Sequence, residues 1–162
     1  MKRLFAILLL GFLLTGCGAK PTVEYVLDTL EEPVSARPRE IAVELPGEAA
    51  VPTMEDTNRR YYLCNDYELT VETMAGGDLS ATVEALSGYD PEELTIVKTQ
   101  ESGIDRYEFV WATHADQGEQ LGRAVILDDG NYHYTMSVLR DADTTETLQV
   151  VWRQVFSSFH LA

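Results

Sequence analysis

The histidines are the residues of this sequence best suited to proton transfer near neutral pH, and there are three: His114, His133 and His160. Asp116 follows two residues after the first of them, and Glu119 comes soon after, so an acid–base pair could form in a hydrolase. No serine stands in a Gly-x-Ser-x-Gly sequence, the nucleophile elbow of many hydrolases. We therefore interpret all three histidines as surface or edge residues, and keep a hydrolase acting through the His114/Asp116 region as an alternative.

Acidic side chains are the second candidate for chemistry, because carboxylate oxygens bind hard cations. Asp128, Asp129 and Asn131 surround a glycine, and Asp141 and Asp143 lie near the opposite strand end. A calcium loop needs about six oxygen ligands at fixed spacing, ending in a bidentate glutamate, and this pattern is missing. The Asp-Asp-Gly-Asn run instead predicts a hairpin turn. No Cys-x-x-Cys or His-Glu-x-x-His spacing is present, so we expect no metal, no cofactor and no catalytic residue set.

Aromatic side chains recur along the expected strands and could form a face for a glycan or a peptide: Tyr61, Tyr62, Tyr67, Tyr107, Trp111, Tyr132 and Tyr134. A sheet covered by a helix needs the same residue types for its core, and we favour that interpretation. An antiparallel sheet can leave one face open to solvent. Whether Tyr62, Tyr132 and Tyr134 lie on an open or a covered face decides between the two interpretations.

An export signal stands at the N-terminus. Lys2 and Arg3 precede the uncharged stretch 4–14, which is typical of a secretory signal and shorter than the about 20 apolar residues of a spanning helix. The Leu-Thr-Gly-Cys run at 14–17 resembles the lipobox of bacterial lipoproteins. The resemblance implies cleavage after residue 16 and diacylation of the sulfur of Cys17. Two acyl chains hold a protein stably at a membrane, whereas one is marginal.

The remaining chain divides into a tether and a domain. The segment 17–39 begins with the lipidated cysteine. Its prolines and charged residues predict a flexible tether. The segment 40–162 is long enough to fold as one globular domain without disulfides. Cys64 lies in an apolar strand-like run and is interpreted as a small packed hydrophobic residue.

Charge limits the kinds of partner. The chain has 162 residues, with 27 Asp and Glu against 12 Lys and Arg, a formal net charge of -15. A nucleic-acid backbone repels such a surface, so we expect no nucleic-acid partner. An anionic membrane surface repels it too, so attachment to the membrane must depend on the acyl chains.

Period-two alternation predicts the strands that must position these residues. A first strand ends at Pro46, and the later strands form a long meander. Each of the clearest alternating sets lies on one face of its strand: Ile41, Val43 and Leu45; Tyr67, Leu69, Val71 and Thr73; Tyr107, Phe109, Trp111 and Thr113; Leu121, Arg123, Val125 and Leu127; Tyr132, Tyr134, Met136 and Val138.

Helical spacing occurs twice. Asp78 or Ser80 can cap a short central helix, which Gly88 ends. Asp143 can cap a C-terminal helix, with Glu146 completing a capping box. This second helix has a broad apolar stripe for packing on a sheet: Leu148, Val151, Trp152, Val155 and Phe156.

This order of elements predicts an α+β domain, in which a short central helical segment and a C-terminal amphipathic helix pack on an antiparallel meander. Three features resemble the Mog1/PsbP-like fold: the Leu-Pro pair at 45–46, the Asp-Gly hairpin, and the Phe-Ser-Ser-Phe run at 156–159. Proteins of that fold have varied roles in photosystem assembly, small-GTPase binding and secretion-related work. The resemblance carries over no catalytic residue, because the shared motifs are structural.

We therefore expect an exported lipoprotein, anchored by lipid to the extracytoplasmic face of the cell membrane. Its expected role is that of a non-catalytic binding or accessory module of the cell envelope, with an envelope protein or a glycan as partner. An assembly factor that binds another envelope protein is a third hypothesis, which an apolar groove beside an exposed strand would favour. A histidine close to a nucleophile or carboxylate in a cleft would favour the hydrolase.

We predict that Cys17→Ser abolishes lipid attachment and leaves either an unprocessed precursor or a released soluble form. The reason is that the lipobox thiol is the acceptor of the acyl chains, and no other stretch after residue 16 approaches about 20 apolar residues. Mass spectrometry of the mature N-terminus checks this prediction. A free thiol on Cys17, or cleavage at another site, contradicts it.

Overall fold

A computed structural model describes residues 37–115, 118–142 and 146–162 of the chain, without the side chains of 115 and 146–151. The predicted signal peptide 1–16, Cys17 and the tether up to residue 36 lie outside the described residues. The described strands are β1 (Ile41–Ala42), β2 (Met54–Glu55), β3 (Arg59–Leu63), β4 (Tyr67–Ala75), β5 (Val97–Glu101), β6 (Ile104–Ala115), β7 (Gly118–Asp128), β8 (Tyr132–Asp141) and β9 (His160–Leu161). The helices are α1 (Leu79–Ser87) and α2 (Glu146–Ser158), with short 3-10 turns at Gly47–Ala49 and Pro91–Glu93.

Seven strands form one antiparallel sheet in the order β2-β3-β4-β8-β7-β6-β5. The last four strands of this sheet along the chain, β5 to β8, are joined by consecutive hairpins, as the alternation predicted. β8 then lies beside β4 rather than at an edge. A separate pair, β1 with β9, brings the two ends of the domain together. The predicted α+β class is confirmed.

Both faces of the sheet are covered. One face packs against α2 and the C-terminal residues, and its core includes Leu69, Val71, Val125, Met136 and Val138. The other face packs against α1 and the segment that follows it, and its core includes Val83, Phe109, Trp111, Ala124 and Ile126. Because successive side chains of a strand point to opposite faces, the central strand β7 contributes buried residues to both cores.

The helix boundaries follow their caps. The carboxylate of Asp78 accepts a hydrogen bond from the backbone N–H of Ser80, and Gly88 ends α1 in the left-handed conformation. In α2, the predicted burial of Trp152, Val155 and Phe156 is confirmed. The side chains of 148 and 151 and the predicted cap at 143 lie outside the described residues. No helix among the residues described combines the length and apolar character needed to cross a membrane.

The predicted hairpin between β7 and β8 is confirmed. The carboxylate of Asp129 accepts hydrogen bonds from the backbone N–H groups of Asn131 and Tyr132, each at 2.9 Å. Its other oxygen accepts the hydroxyl of Tyr134, which in turn accepts the backbone N–H of Arg39. Arg39 is the last residue assigned to the tether by the sequence, and it is already bonded to the domain.

A close approach between neighbouring strands gives a test of the packing. Gly122 lies opposite Trp111 in the β6–β7 register, and a Cβ at this glycine would overlap the indole ring. We expect Gly122→Ala to destabilise the domain by about 1–3 kcal/mol, the usual cost of overpacking. Gly47→Ala is the control, because an added Cβ there meets no atom within 4 Å. Urea denaturation followed by tryptophan fluorescence measures both, and equal midpoints for the two variants contradict the packing described.

Candidate functional site

His114, the centre of the predicted hydrolase alternative, lies on the surface. Its side chain is 82% exposed, and its Nε2 lies 3.7 Å from the equally open carboxylate of Glu119. Asp116 lies outside the described residues. His160 is also exposed, with its Nδ1 2.7 Å from the carbonyl oxygen of Ser158. The predicted surface position is therefore confirmed for these two histidines.

The prediction was wrong for His133, which is only 1% exposed. Its Nδ1 is hydrogen-bonded to Oγ1 of Thr82 at 2.7 Å, and its Nε2 lies 3.7 Å from Oδ2 of Asp128. The physical reason is the position of β8 inside the sheet. A residue on the face opposite Tyr134 would be at the surface of a one-sided sheet, but α1 covers that face.

The hydroxyl of Thr82, the imidazole of His133 and the carboxylate of Asp128 follow one another in the same order as the groups of a serine hydrolase triad. Thr82, however, is itself a residue of α1, and its side chain is buried between the helix and the sheet. A buried polar group must find a partner inside the protein, and this hydrogen bond supplies one for both residues. We therefore assign it a structural role, which links α1 to the sheet.

The aromatic residues form cores rather than an open binding face. Tyr62, Tyr67 and Tyr134 are buried in the core under α2, and Tyr132 packs against the same core. Trp111 belongs to the core on the opposite face. The interpretation favoured from the sequence is thus confirmed for these residues, because helices cover both faces of the sheet.

The remaining sequence candidates also have structural surroundings. Cys64 is half-buried against the core, with its Sγ 3.9 Å from the carbonyl oxygen of Glu48. The carboxylate of Asp128 accepts the backbone N–H of Gly130 within the hairpin. Among the described residues, no three His, Cys, Asp or Glu side chains are grouped closely enough to hold a metal ion.

A cleft that the sequence did not reveal lies between α2 and the neighbouring parts of β6, β7 and β8. Its volume is about 600 Å³, within the range of ligand-binding clefts. We call it the arginine cleft. Its side chains are either apolar or basic: Val110, Ala112, Leu121, Val138, Trp152 and Phe156, with Arg123, Arg140 and Arg153.

One wall of the arginine cleft is fixed by an ion-pair network. Glu108 accepts hydrogen bonds from Nε of Arg106 and from Nη2 of Arg123, both at 2.8 Å. The guanidinium of Arg106 also donates to the carbonyl oxygen of Phe156, in the last turn of α2, and to that of Phe159, the residue that follows the helix. Arg123 lies over the ring of Phe156, 4.1 Å from its centroid. The network therefore holds the end of α2 against the sheet.

The rim of the cleft is an exposed apolar surface. Val110 is 64% exposed and Leu121 is 38% exposed, and they lie on adjacent strands of the same face. Beyond Glu108, no described strand pairs with the outer edge of β6. The hydroxyl of Tyr89 instead donates to the carbonyl oxygen of Ala112 at 2.6 Å, which caps part of this edge.

The sequence predicted part of this site. The alternation of β7 places Leu121 and Arg123 on the face that carries Val125, and this was predicted. The sequence does not reveal where α2 stops covering that face, because the crossing position of a helix depends on contacts distant in the chain. No protein-family model and no curated protein matches this sequence.

The Glu108 network predicts a pH dependence of stability. Burial opposes ionisation of this carboxyl, but hydrogen bonds from Arg123 and Arg106 outweigh it and lower its pKa below the ordinary value of 4.5. Because the pKa of Glu108 is lower in the folded state than in the unfolded state, its ionised form stabilises the fold. This stabilisation is complete when the pH is above the unfolded-state pKa, and it is lost as the pH falls through the folded-state pKa.

We therefore expect Glu108→Gln to be less stable than the unmodified protein at pH 7, and the difference to shrink below about pH 4. Glu101→Gln, on the exposed strand β5, is the matched control and should behave like the unmodified protein. Urea midpoints at a series of pH values measure the effect. A constant difference between Glu108→Gln and the unmodified protein across this range contradicts the role assigned to the network.

Proposed function

We propose that this chain is an exported lipoprotein whose domain is a non-catalytic binding module of the cell envelope. The arginine cleft is the observation that carries the binding role. It combines an apolar floor, an exposed apolar rim and three arginines. Tryptophan and arginine are enriched among the residues that dominate protein interfaces, and an exposed apolar patch in a folded domain often marks a contact surface.

The anchoring part of the proposal depends on the N-terminal sequence. Cleavage after residue 16 would make Cys17 the first residue, and its acyl chains would hold the protein on the extracytoplasmic face of the cell membrane. The tether 17–39 would separate the domain from the lipid. The net charge of -15 favours this arrangement, because anionic headgroups repel the domain while the acyl chains retain it.

The resemblance to the Mog1/PsbP-like fold is part of the same proposal. It is supported by the antiparallel meander β5 to β8, the Asp-Gly hairpin between β7 and β8, and the C-terminal helix α2. The varied assembly and binding roles of proteins with that fold agree with a module that acts by contact. The fold by itself does not identify the partner.

Site-specific photo-crosslinking in intact cells tests the binding role. A photoreactive residue replaces Leu121 at the rim of the cleft in one variant, and Val97 on the exposed strand β5 in the control variant. We expect a discrete crosslinked product from position 121 only, because a bound partner would contact the cleft. The product should disappear when Arg153→Glu is added to the position 121 variant. Identical patterns from both positions, or no product from position 121, contradict the proposed function.

A further inference from the structure

We infer that the arginine cleft binds an acidic peptide segment of a partner protein, with one large apolar side chain between carboxylates. This inference rests on the proposed binding function and names the chemistry of the partner. It differs from the assembly-factor hypothesis in specifying which side chains the partner must present.

Charge is the first argument. The chain has 27 acidic residues, yet none of the described residues that line the cleft carries a carboxylate, and three of them are arginines. Glu108, beside the cleft, pairs with both Arg106 and Arg123, so this network carries more positive than negative charge, and Arg153 of the lining is a further cation. A ligand that complements this surface is anionic.

The apolar surface is the second argument. Trp152 and Phe156 form a floor that is nearly inaccessible to water, and Val110 and Leu121 leave apolar area exposed above it. A side chain such as leucine or phenylalanine would cover this exposed area and remove it from water. An anion without an apolar part would leave it exposed.

The distribution of the arginines favours a peptide over a lipid. Arg123 and Arg153 belong to two different elements, β7 and α2. A single headgroup concentrates its charge at one point, whereas a peptide can present carboxylates to more than one element. The open rim at Val110 also differs from the enclosed channel that an acyl chain requires.

We expect the peptide to engage the cleft through its side chains. Strand addition to β6 would need the backbone groups of its outer edge, and Tyr89 already occupies the carbonyl oxygen of Ala112. Contacts through side chains depend on the arginines and the apolar rim. Substitutions at those positions are therefore the appropriate test.

The experiment selects binders from a displayed library of random peptides against the purified full chain. We expect enrichment of peptides that place leucine or phenylalanine between aspartates or glutamates. The selected peptide should bind Arg153→Glu at least about tenfold more weakly, because like charges then oppose each other in the cleft. Arg153→Lys should retain most of the affinity, and Leu121→Ser should lose much of it. Arg59→Glu, an exposed residue of β3, is the control for net charge and should bind as the unmodified protein does.

Several outcomes overturn the inference. These are enrichment of neutral or basic peptides, no enrichment, or equal binding by Arg153→Glu and the unmodified protein. Binding of the chain to phosphatidylglycerol vesicles that Arg153→Glu abolishes would assign the cleft to a lipid, and a dimer that the same substitution dissociates would assign it to a second copy. If crosslinking from position 121 still yields a product after such an outcome, the proposed binding function stands and only the acidic peptide fails.

Discussion

The middle residues of strands β7 and β8, 124–127 and 133–136, are buried on both faces of the sheet, and the rest of the domain is arranged around this constraint. Each residue along them must pack against a helix or find a partner for its polar atoms inside the protein. On one side α1 supplies Val83 and the hydroxyl of Thr82, which satisfies the buried imidazole of His133. On the other side α2 supplies Trp152, Val155 and Phe156. Each helix buries its apolar stripe against one face of the sheet.

The candidate site lies where this double cover is incomplete. At the end of α2, Arg106 and Glu108 use their hydrogen bonds to fix the helix, so its position over the sheet is set by charged groups at an otherwise apolar contact. Beside that contact, Val110 and Leu121 lie on the same sheet face and remain exposed. The same network that orders α2 therefore also defines one wall of the arginine cleft.

The charge of the chain supports the proposed binding role of this cleft. The chain has 27 acidic side chains against 12 basic ones, so the arginines among the described residues that line the cleft give it a charge unlike that of the chain as a whole. Attached through Cys17, such a domain would stand off the membrane and offer the cleft to other proteins. The buried His133 and the exposed His114 do not form a comparable site, because His133 is buried beneath α1 and His114 lies on the open surface beside Glu119.

The sequence by itself determined the long strands β4, β6, β7 and β8, the hairpin at Asp129 and the apolar stripe of α2, because alternation, turn residues and helical spacing are local properties of the chain. The predicted first strand ending at Pro46 was wrong in its length, because only Ile41–Ala42 finds a pairing partner, β9. It also determined which residues of each strand share a face, including Leu121 with Arg123. Only the tertiary structure decided which faces are covered, and therefore that His133 is buried while Val110 is exposed. That decision depends on where α1 and α2 cross the sheet, and the crossing is fixed by contacts between distant segments, such as Thr82 with His133 and Arg106 with the end of α2. No local sequence pattern encodes such contacts. Each of these residues is compatible with several partners until the whole domain has folded.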